Sequence, residues 1–326
     1  MSRRAARGLT LIEMMVSLAI FSVIALSAMS FIVSSLKVNY TVEAQADLSN
    51  MGQQSLDQLR GSLAQSKKLL DVDAGFLPLL DLTTAPAPVG EIRLPKIEPN
   101  GSLTPRAGSK DGAFTKSSVG NAILFVEALS PFQDPKTKRL IDRYRFVLYY
   151  VAKAEGRIAH VPYVLDLVRV ESVTYADFTQ VDALGAETGT TVIPALEAAG
   201  IAFAWDPGAP AIAAFSRLSG GRLVAPPEPK HRIVAARIAT ALPGVGRMQR
   251  GSGMIGYSIA PNDGEVPIRV SVPKFAQPAD GFPNGFEVLV TGPGHGRKVL
   301  VRMVLVAEAQ QRFFSREHQI VAAVWD

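Results

Sequence analysis

The 326-residue chain contains no cysteine. That absence excludes disulfides, thiolate metal sites and cysteine nucleophiles together. Histidine is scarce. His160, His231, His295 and His318 are scattered, without the H-x₃-H or H-E-x-x-H spacing that sets two imidazoles on one helix face for zinc. Ser216 and Ser219 do not stand in a G-x-S-x-G elbow. No nucleophile, base and orienting group come together, so neither catalysis nor a cofactor is expected. Proline is absent before Pro78, and nothing in the first 77 residues forces a helix to break. Charge is missing from Met14 to Leu36.

What is there begins with Arg3, Arg4 and Arg7, then Gly8, then an apolar run from Leu9 to Val33 broken only by Glu13. The run exceeds the ~20 residues that span a bilayer as a helix. The preceding arginines predict that its N-terminal side stays cytoplasmic. A secretory signal fits poorly, because its apolar core runs to about 7–15 residues and ends in a small-residue cleavage site. Here the small residues Ser17, Ala19, Ala25, Ser27 and Ala28 are spread through the run. Glu13 is the anomaly. A carboxylate in a membrane span is costly, and such residues usually have a partner.

Read in order, Arg7-Gly8-Leu9-Thr10-Leu11-Ile12-Glu13-Met14 resembles the processing site of type IV prepilins and type II secretion pseudopilins. The resemblance implies cleavage between Gly8 and Leu9 by a prepilin peptidase and N-methylation of Leu9. It also implies that the new Leu9 amine of one subunit pairs with Glu13 of a neighbour, neutralising both charges in an apolar setting. Many major pilins carry a proline near the twenty-second mature position; Ser30 stands there in this chain. Ser27, Ser30, Ser34 and Ser35 can bond back to helix carbonyls and soften the helix only mildly.

From Ser34 the sequence turns amphipathic. Val38, Val42, Leu48, Met51, Leu56, Leu59, Leu63 and Leu70 recur mostly three or four apart among polar residues. One helix from about Thr10 to Leu70 is predicted. Residues 71–120 alternate prolines and glycines, which predicts a long loop with one short strand near Glu91–Leu94. From Asn121 the pattern is that of strands: Ile123–Leu129, Tyr144–Val151, Val164–Val173, His231–Thr240, Met254–Ile259, Val266–Val272, Gly285–Val290, Lys298–Ala307 and Gln319–Trp325. Strands after a single long helix indicate an α+β fold. A long N-terminal hydrophobic helix packs on a C-terminal antiparallel β-sheet domain, built either of two sheets or of one with an insertion around 174–230. The organisation is thus a leader over 1–8, a transmembrane or filament-core helix over 9–33, its amphipathic continuation over 34–70, a Pro/Gly-rich region over 71–120 and a β-rich domain over 121–326.

Other motifs weaken on inspection. Gly251-Ser-Gly253-Met-Ile-Gly256 matches G-x-G-x-x-G, but a strand-like stretch and Pro261 follow instead of a helix, so a turn is expected. Gly292-Pro-Gly294-His-Gly296-Arg-Lys298 lacks phosphate-loop spacing and reads as a hairpin turn. Asn262-Asp263-Gly264-Glu265 lacks the full spaced acidic loop of a calcium site. The formal charge of +5 falls to +2 once Arg3, Arg4 and Arg7 are removed, so nucleic acid is not an expected partner.

The resemblance therefore implies a structural subunit, most like a large minor pilin or minor pseudopilin. It would be anchored in the bacterial inner membrane with its C-terminal domain in the periplasm, and then enter a pilus or pseudopilus. Its partners would be prepilin peptidase, other pilin or pseudopilin subunits, the inner-membrane assembly platform and membrane lipid. The large tip subunit of type II secretion generally lacks the glutamate, so Glu13 argues against that class. Pilus, secretion and competence systems stay open. The alternative is a filament-borne binding module, an adhesin or DNA-uptake receptor using the basic runs Lys136–Arg139 and Arg247–Arg250.

Overall fold

The computed structural model describes residues 10–98, 119–154, 163–184, 191–208, 211–214, 233–242, 244, 248–250, 253–261, 275, 285–309 and 312–325. The first element among the described residues is helix α1 (Leu11–Ala64), 54 residues and about 80 Å long at 1.5 Å per residue. It ends at Gln65, before the expected Leu70, and Ser66–Leu70 is strand β1 instead. The helical spacing misled because Leu69 and Leu70 look like a last apolar turn. As neighbours on a strand they point to opposite faces, and each is buried in a different core.

Strands β2 (Leu80–Asp81) and β3 (Ile97–Glu98) follow, with two single 3₁₀ turns at Val72–Ala74 and Leu77–Leu79. The short strand expected at Glu91–Leu94 is absent; that stretch is held by Asn121, whose Oδ1 accepts from Arg93 N and whose Nδ2 donates to Glu91 O. Then come β4 (Ala122–Gln133), β5 (Leu140–Ala154), β6 (Val164–Ser172), β7 (Tyr175–Asp177), helices α2 (Phe178–Asp182) and α3 (Ile193–Ala198), β8 (Phe203–Asp206), β9 (Ala211–Ala214) and β10 (Ile233–Leu242). Strands β11 (Met248–Arg250), β12 (Gly253–Ile259), β13 (Phe286–Thr291), β14 (His295–Ala309) and β15 (Arg312–Trp325) complete the described chain.

The strands form two sheets. In the first, β5 is central: β4 pairs along one edge, β6 and β7 share the other, and β1, β10, β2, β8 and β9 extend it. In the second, β14 is central, with β15 on one edge and β12 and β13 sharing the other. Pairing is antiparallel except for the short β2–β10, β3–β13 and β7–β8 contacts. The expected α+β class and the two-sheet alternative both hold. The 174–230 region extends the first sheet where it is described.

The main core lies where both sheets meet the second half of α1. Leu48, Leu56, Leu59 and Leu63 pack with Phe125 and Tyr149 of the first sheet and with Val301, Met303 and Ile320 of the second. Small residues let the helix come close. A Cβ on Gly52 would lie 2.5 Å from the His318 ring on β15, and Ser55 Oγ donates to Ala241 O on β10. The sheets are tied together at Gly120, whose N and O exchange 2.9 Å hydrogen bonds with Val288. Only glycine fits there, since a Cβ would meet Pro95 N at 2.5 Å.

Both central strands are buried on two faces, which accounts for their near-continuous apolar runs. The second face of the first sheet is covered by Phe76 and Leu94. The second face of β14 holds Leu300, Val304 and Arg302, a fully buried cation paired with Glu287 at 2.5 Å and Glu317 at 3.0 Å. A second network links Arg145 to Glu127 at 2.5 Å and to Glu171 at 2.7 Å, with Arg169 reaching Glu171 at 3.1 Å. Buried charges persist only when paired in this way.

Candidate functional site

The start of α1 is built by local sequence. Thr10 is the N-cap in extended geometry, with Glu13 three residues on. Thr10 Oγ1 accepts from Glu13 N at 3.3 Å, while Thr10 N donates to Glu13 Oε2 at 2.9 Å. This reciprocal arrangement is a capping box, which satisfies two backbone N–H groups that the first helical turn would leave open. Thr10 Oγ1 also lies 3.0 Å from Glu13 Oε2. The signal is legible as Thr-x-x-Glu, but the sequence reading looks for the partner of Glu13 only in a neighbouring subunit. The structure gives it an intramolecular partner, and both bonds fall on one oxygen. The two processing residues, Gly8 and Leu9, lie outside the described residues.

Above the cap the helix surface is apolar on every side. Leu11, Ile12, Leu18, Phe21, Leu26, Met29 and Phe31 are each more than two-thirds exposed. This is the one helix among the described residues long and apolar enough to cross a membrane. Two of its hydroxyls are turned inward to the backbone. Ser22 donates to Leu18 O at 2.7 Å and Ser27 to Val23 O at 2.8 Å, so neither carries an open donor into an apolar surround. Of the four serines able to bond back, Ser27 does so. The exposed character runs further than the sequence predicted: Val38 and Val42, read as part of the packed stripe, are both 58% exposed, and burial starts at Ala44.

The remaining candidates resolve into structure. Gly292–Gly296 is the turn between β13 and β14, with positive φ at both glycines. Gly253–Gly256 lies in β12. Lys136–Arg139 is the β4–β5 turn, organised by buried Asp134, which accepts from Lys136 N and Thr137 N. Met248–Arg250 is β11. Of the histidines, His318 is buried under α1; burial holds its pKa below the ordinary value, the Arg316 charge adds to this and the Leu48 carbonyl opposes it. His160, His231, Asn262–Glu265 and the strand expected at Val266–Val272 lie outside the described residues. No group of three or more His, Asp and Glu side chains is poised for a metal among the described residues.

Residues 3–29 match the family of the prokaryotic N-terminal methylation motif. This prepilin-type motif, followed by the long apolar helix, is consistent with a type IV pilin-like protein and implies processing by a prepilin peptidase and assembly with other pilins. No curated protein and no solved structure matches the chain.

Proposed function

We propose that the chain is a structural, non-enzymatic minor pilin-like or pseudopilin subunit. It is held in the inner membrane by the first half of α1, cut between Gly8 and Leu9, methylated on Leu9, and incorporated in or at the tip of a type IV pilus or type II secretion pseudopilus. The observation that carries this reading is the methylation motif over residues 3–29 leading directly into a helix whose apolar surface has no cover among the described residues.

Glu13 has a defined task in this reading. The Thr10 N–H survives cleavage after Gly8, so the capping box persists in the mature subunit. Oε2 stays engaged with Thr10, and Oε1 remains for the Leu9 amine of a neighbour. The carboxylate is thus pre-oriented before the partner arrives, which lowers the ordering needed at assembly. Outside the filament, the cap spreads part of its charge over the N-terminal N–H groups of the helix.

Intact-mass spectrometry of the protein from its native host tests the reading. The expected chain starts at Leu9 and carries one added methyl group. An uncut N-terminus in a host with active prepilin peptidase contradicts it. A bulky substitution such as Gly8→Leu is expected to block processing, because the cleavage site is fitted to a small residue.

A further inference from the structure

α1 runs unbroken from its apolar half into the domain, so no flexible linker separates the two. Charge is missing from Met14 to Leu36, about 35 Å of helix against a hydrocarbon core of about 30 Å. Lys37 is the first charge after that run and marks its outer end. The headgroup layer adds about 5–7 Å beyond the hydrocarbon. Burial of α1 against the sheets starts at Ala44, about 10 Å past Lys37. The domain therefore begins close to the headgroups. Two contacts orient it. Asp47 accepts from Tyr257 Oη of β12 at 3.1 Å, and Tyr257 shares a row with Ala307 and Phe314. Farther along α1, Gly52 abuts His318, beyond Phe314 on β15. As α1 leaves the span, its contact moves up β15. The opposite ends of the strands, where Ala309 pairs with Arg312 and Arg250 with Gly253, point back toward the span. Asp47 stands about 15 Å past Lys37 along the helix. From the Tyr257 row the strands run on about 7 Å to Arg312 and about 13 Å to Gly253, long enough to reach the headgroup level.

These two ends carry cations without acids. From Arg247 to Asn262 the sequence has two arginines and no acid, and from Ala309 to Arg316 it has two more and again no acid. Arg316 is exposed on β15. Acids enter at the flanks: Glu308, Glu317, which pairs with Arg302, and Glu43 on α1. We propose that the strand ends around Arg250, Arg312 and Arg316 form a docking surface for the anionic headgroups of the bilayer that holds α1. The inference rests on the membrane-anchor reading above. Position names the occupant, because the bilayer around the span is the surface these ends face at this distance. The attraction is electrostatic and is screened beyond a Debye length. Docking sets the posture of the subunit before assembly. The apolar run is longer than the hydrocarbon is thick, and a helix takes up such an excess by tilting. The docked cations select the tilt that lays the near end of the second sheet on the membrane surface.

The chain has no cysteine, so a single introduced cysteine carries a fluorescent label at one known place. The full chain is reconstituted in phosphatidylcholine vesicles with and without phosphatidylglycerol, with a quencher on the lipid headgroup. One label replaces Gln311, between Ala309 and Arg312. The control replaces Leu140, 64% exposed and paired with Gln133, past the bond from Ala128 N to Gln65 O at the far end of α1. Quenching is expected at 311 and not at 140 in phosphatidylglycerol vesicles, and is expected to weaken at 311 in phosphatidylcholine alone. Arg250→Gln, Arg312→Gln and Arg316→Gln are each expected to lower the ratio of docked to undocked domains about fivefold, the surface attraction of one cation, with the unfolding midpoint unchanged. The comparison of lipids on the chain with its arginines intact decides the matter even where a variant fails to fold. Equal quenching at 311 and 140, or quenching at 311 that ignores phosphatidylglycerol, overturns the proposal. The anchor reading then still stands if a label at Leu26→Cys is quenched from the acyl chains. A Leu26→Cys label beyond the reach of acyl-chain quenchers overturns both.

Discussion

From Leu11 to Val42, α1 exposes apolar side chains all round; from Ala44 to Leu63, the same helix buries Leu48, Leu56, Leu59 and Leu63 against two sheets. The bare half is the more apolar of the two. Hydrophobicity alone therefore does not say which half enters the protein core. Fit does. The buried half pairs its leucines with Ala44, Gly52, Ser55 and Ser62 at the contact and keeps Gln53, Gln54 and Asp57 outward. The bare half has large side chains in every direction, and nothing among the described residues covers it.

The largest expected effect separates the halves directly. Leu59→Ala removes a fully buried side chain and is expected to destabilise the globular domain by about 2–5 kcal/mol. Leu26→Ala, 68% exposed, is expected to leave its unfolding midpoint in detergent unchanged. Equal effects at both positions, read by chemical denaturation, would erase the distinction.

Next come two glycines on the buried half. Gly52→Val would drive a side chain into the His318 ring, and overpacking of this kind costs about 1–3 kcal/mol. Gly61 has nothing within 4 Å of its would-be Cβ, so Gly61→Ala is expected to stabilise by up to about 1 kcal/mol through helix propensity. Thermal unfolding of both variants checks the opposite signs.

A smaller effect depends on pH. Burial lowers the pKa of His318 below its ordinary value, with Arg316 adding to the shift and the Leu48 carbonyl opposing it. Met303 lies opposite His318 on β14. The unfolded state therefore takes up a proton first as pH falls. The stability that the neutral imidazole contributes is fully present above the ordinary histidine value of ~6.5 and is lost as pH drops through it toward the lowered folded value. His318→Gln is expected to flatten the fall in unfolding midpoint between neutral and mildly acidic pH; an unchanged slope would contradict the assignment.

Much of this division was legible in the sequence, and the exceptions have physical causes. The long helix, the strands around Ile123, Tyr149, Val168, Val288 and Val301, and the hairpin turn at Gly292–Gly296 followed from periodicity and turn chemistry. The helix end was misplaced because Leu63, Leu69 and Leu70 keep roughly helical spacing while serving two cores. Val38 and Val42 fit the apolar stripe, yet the sheets begin beyond them. Nothing in the local sequence marks Arg302 as buried, because its burial depends on Glu287, fifteen residues away. Thr10 was overlooked because Glu13 drew attention as a lone charge, although Thr-x-x-Glu carries its own meaning.

The smallest expected effect on the fold comes from Glu13. Glu13→Val lies far from both sheets and is expected to leave domain unfolding unchanged, with membrane insertion intact. It is expected to reduce co-purification with other pilin-like subunits, because the neighbouring Leu9 amine would be buried without its partner. Lost insertion with unchanged co-purification would contradict that role.

The division of α1 is tested most directly by two truncations, one starting at Ser34 and one at Ser66, compared by thermal unfolding and light scattering. The chain from Ser34 keeps the buried half of the helix and is expected to be soluble and to unfold cooperatively. The chain from Ser66 keeps β1 and every later strand but exposes the leucine-facing surfaces of both sheets, and is expected to aggregate. A monomeric chain from Ser66 with the same midpoint would show that the second half of α1 is not part of the core.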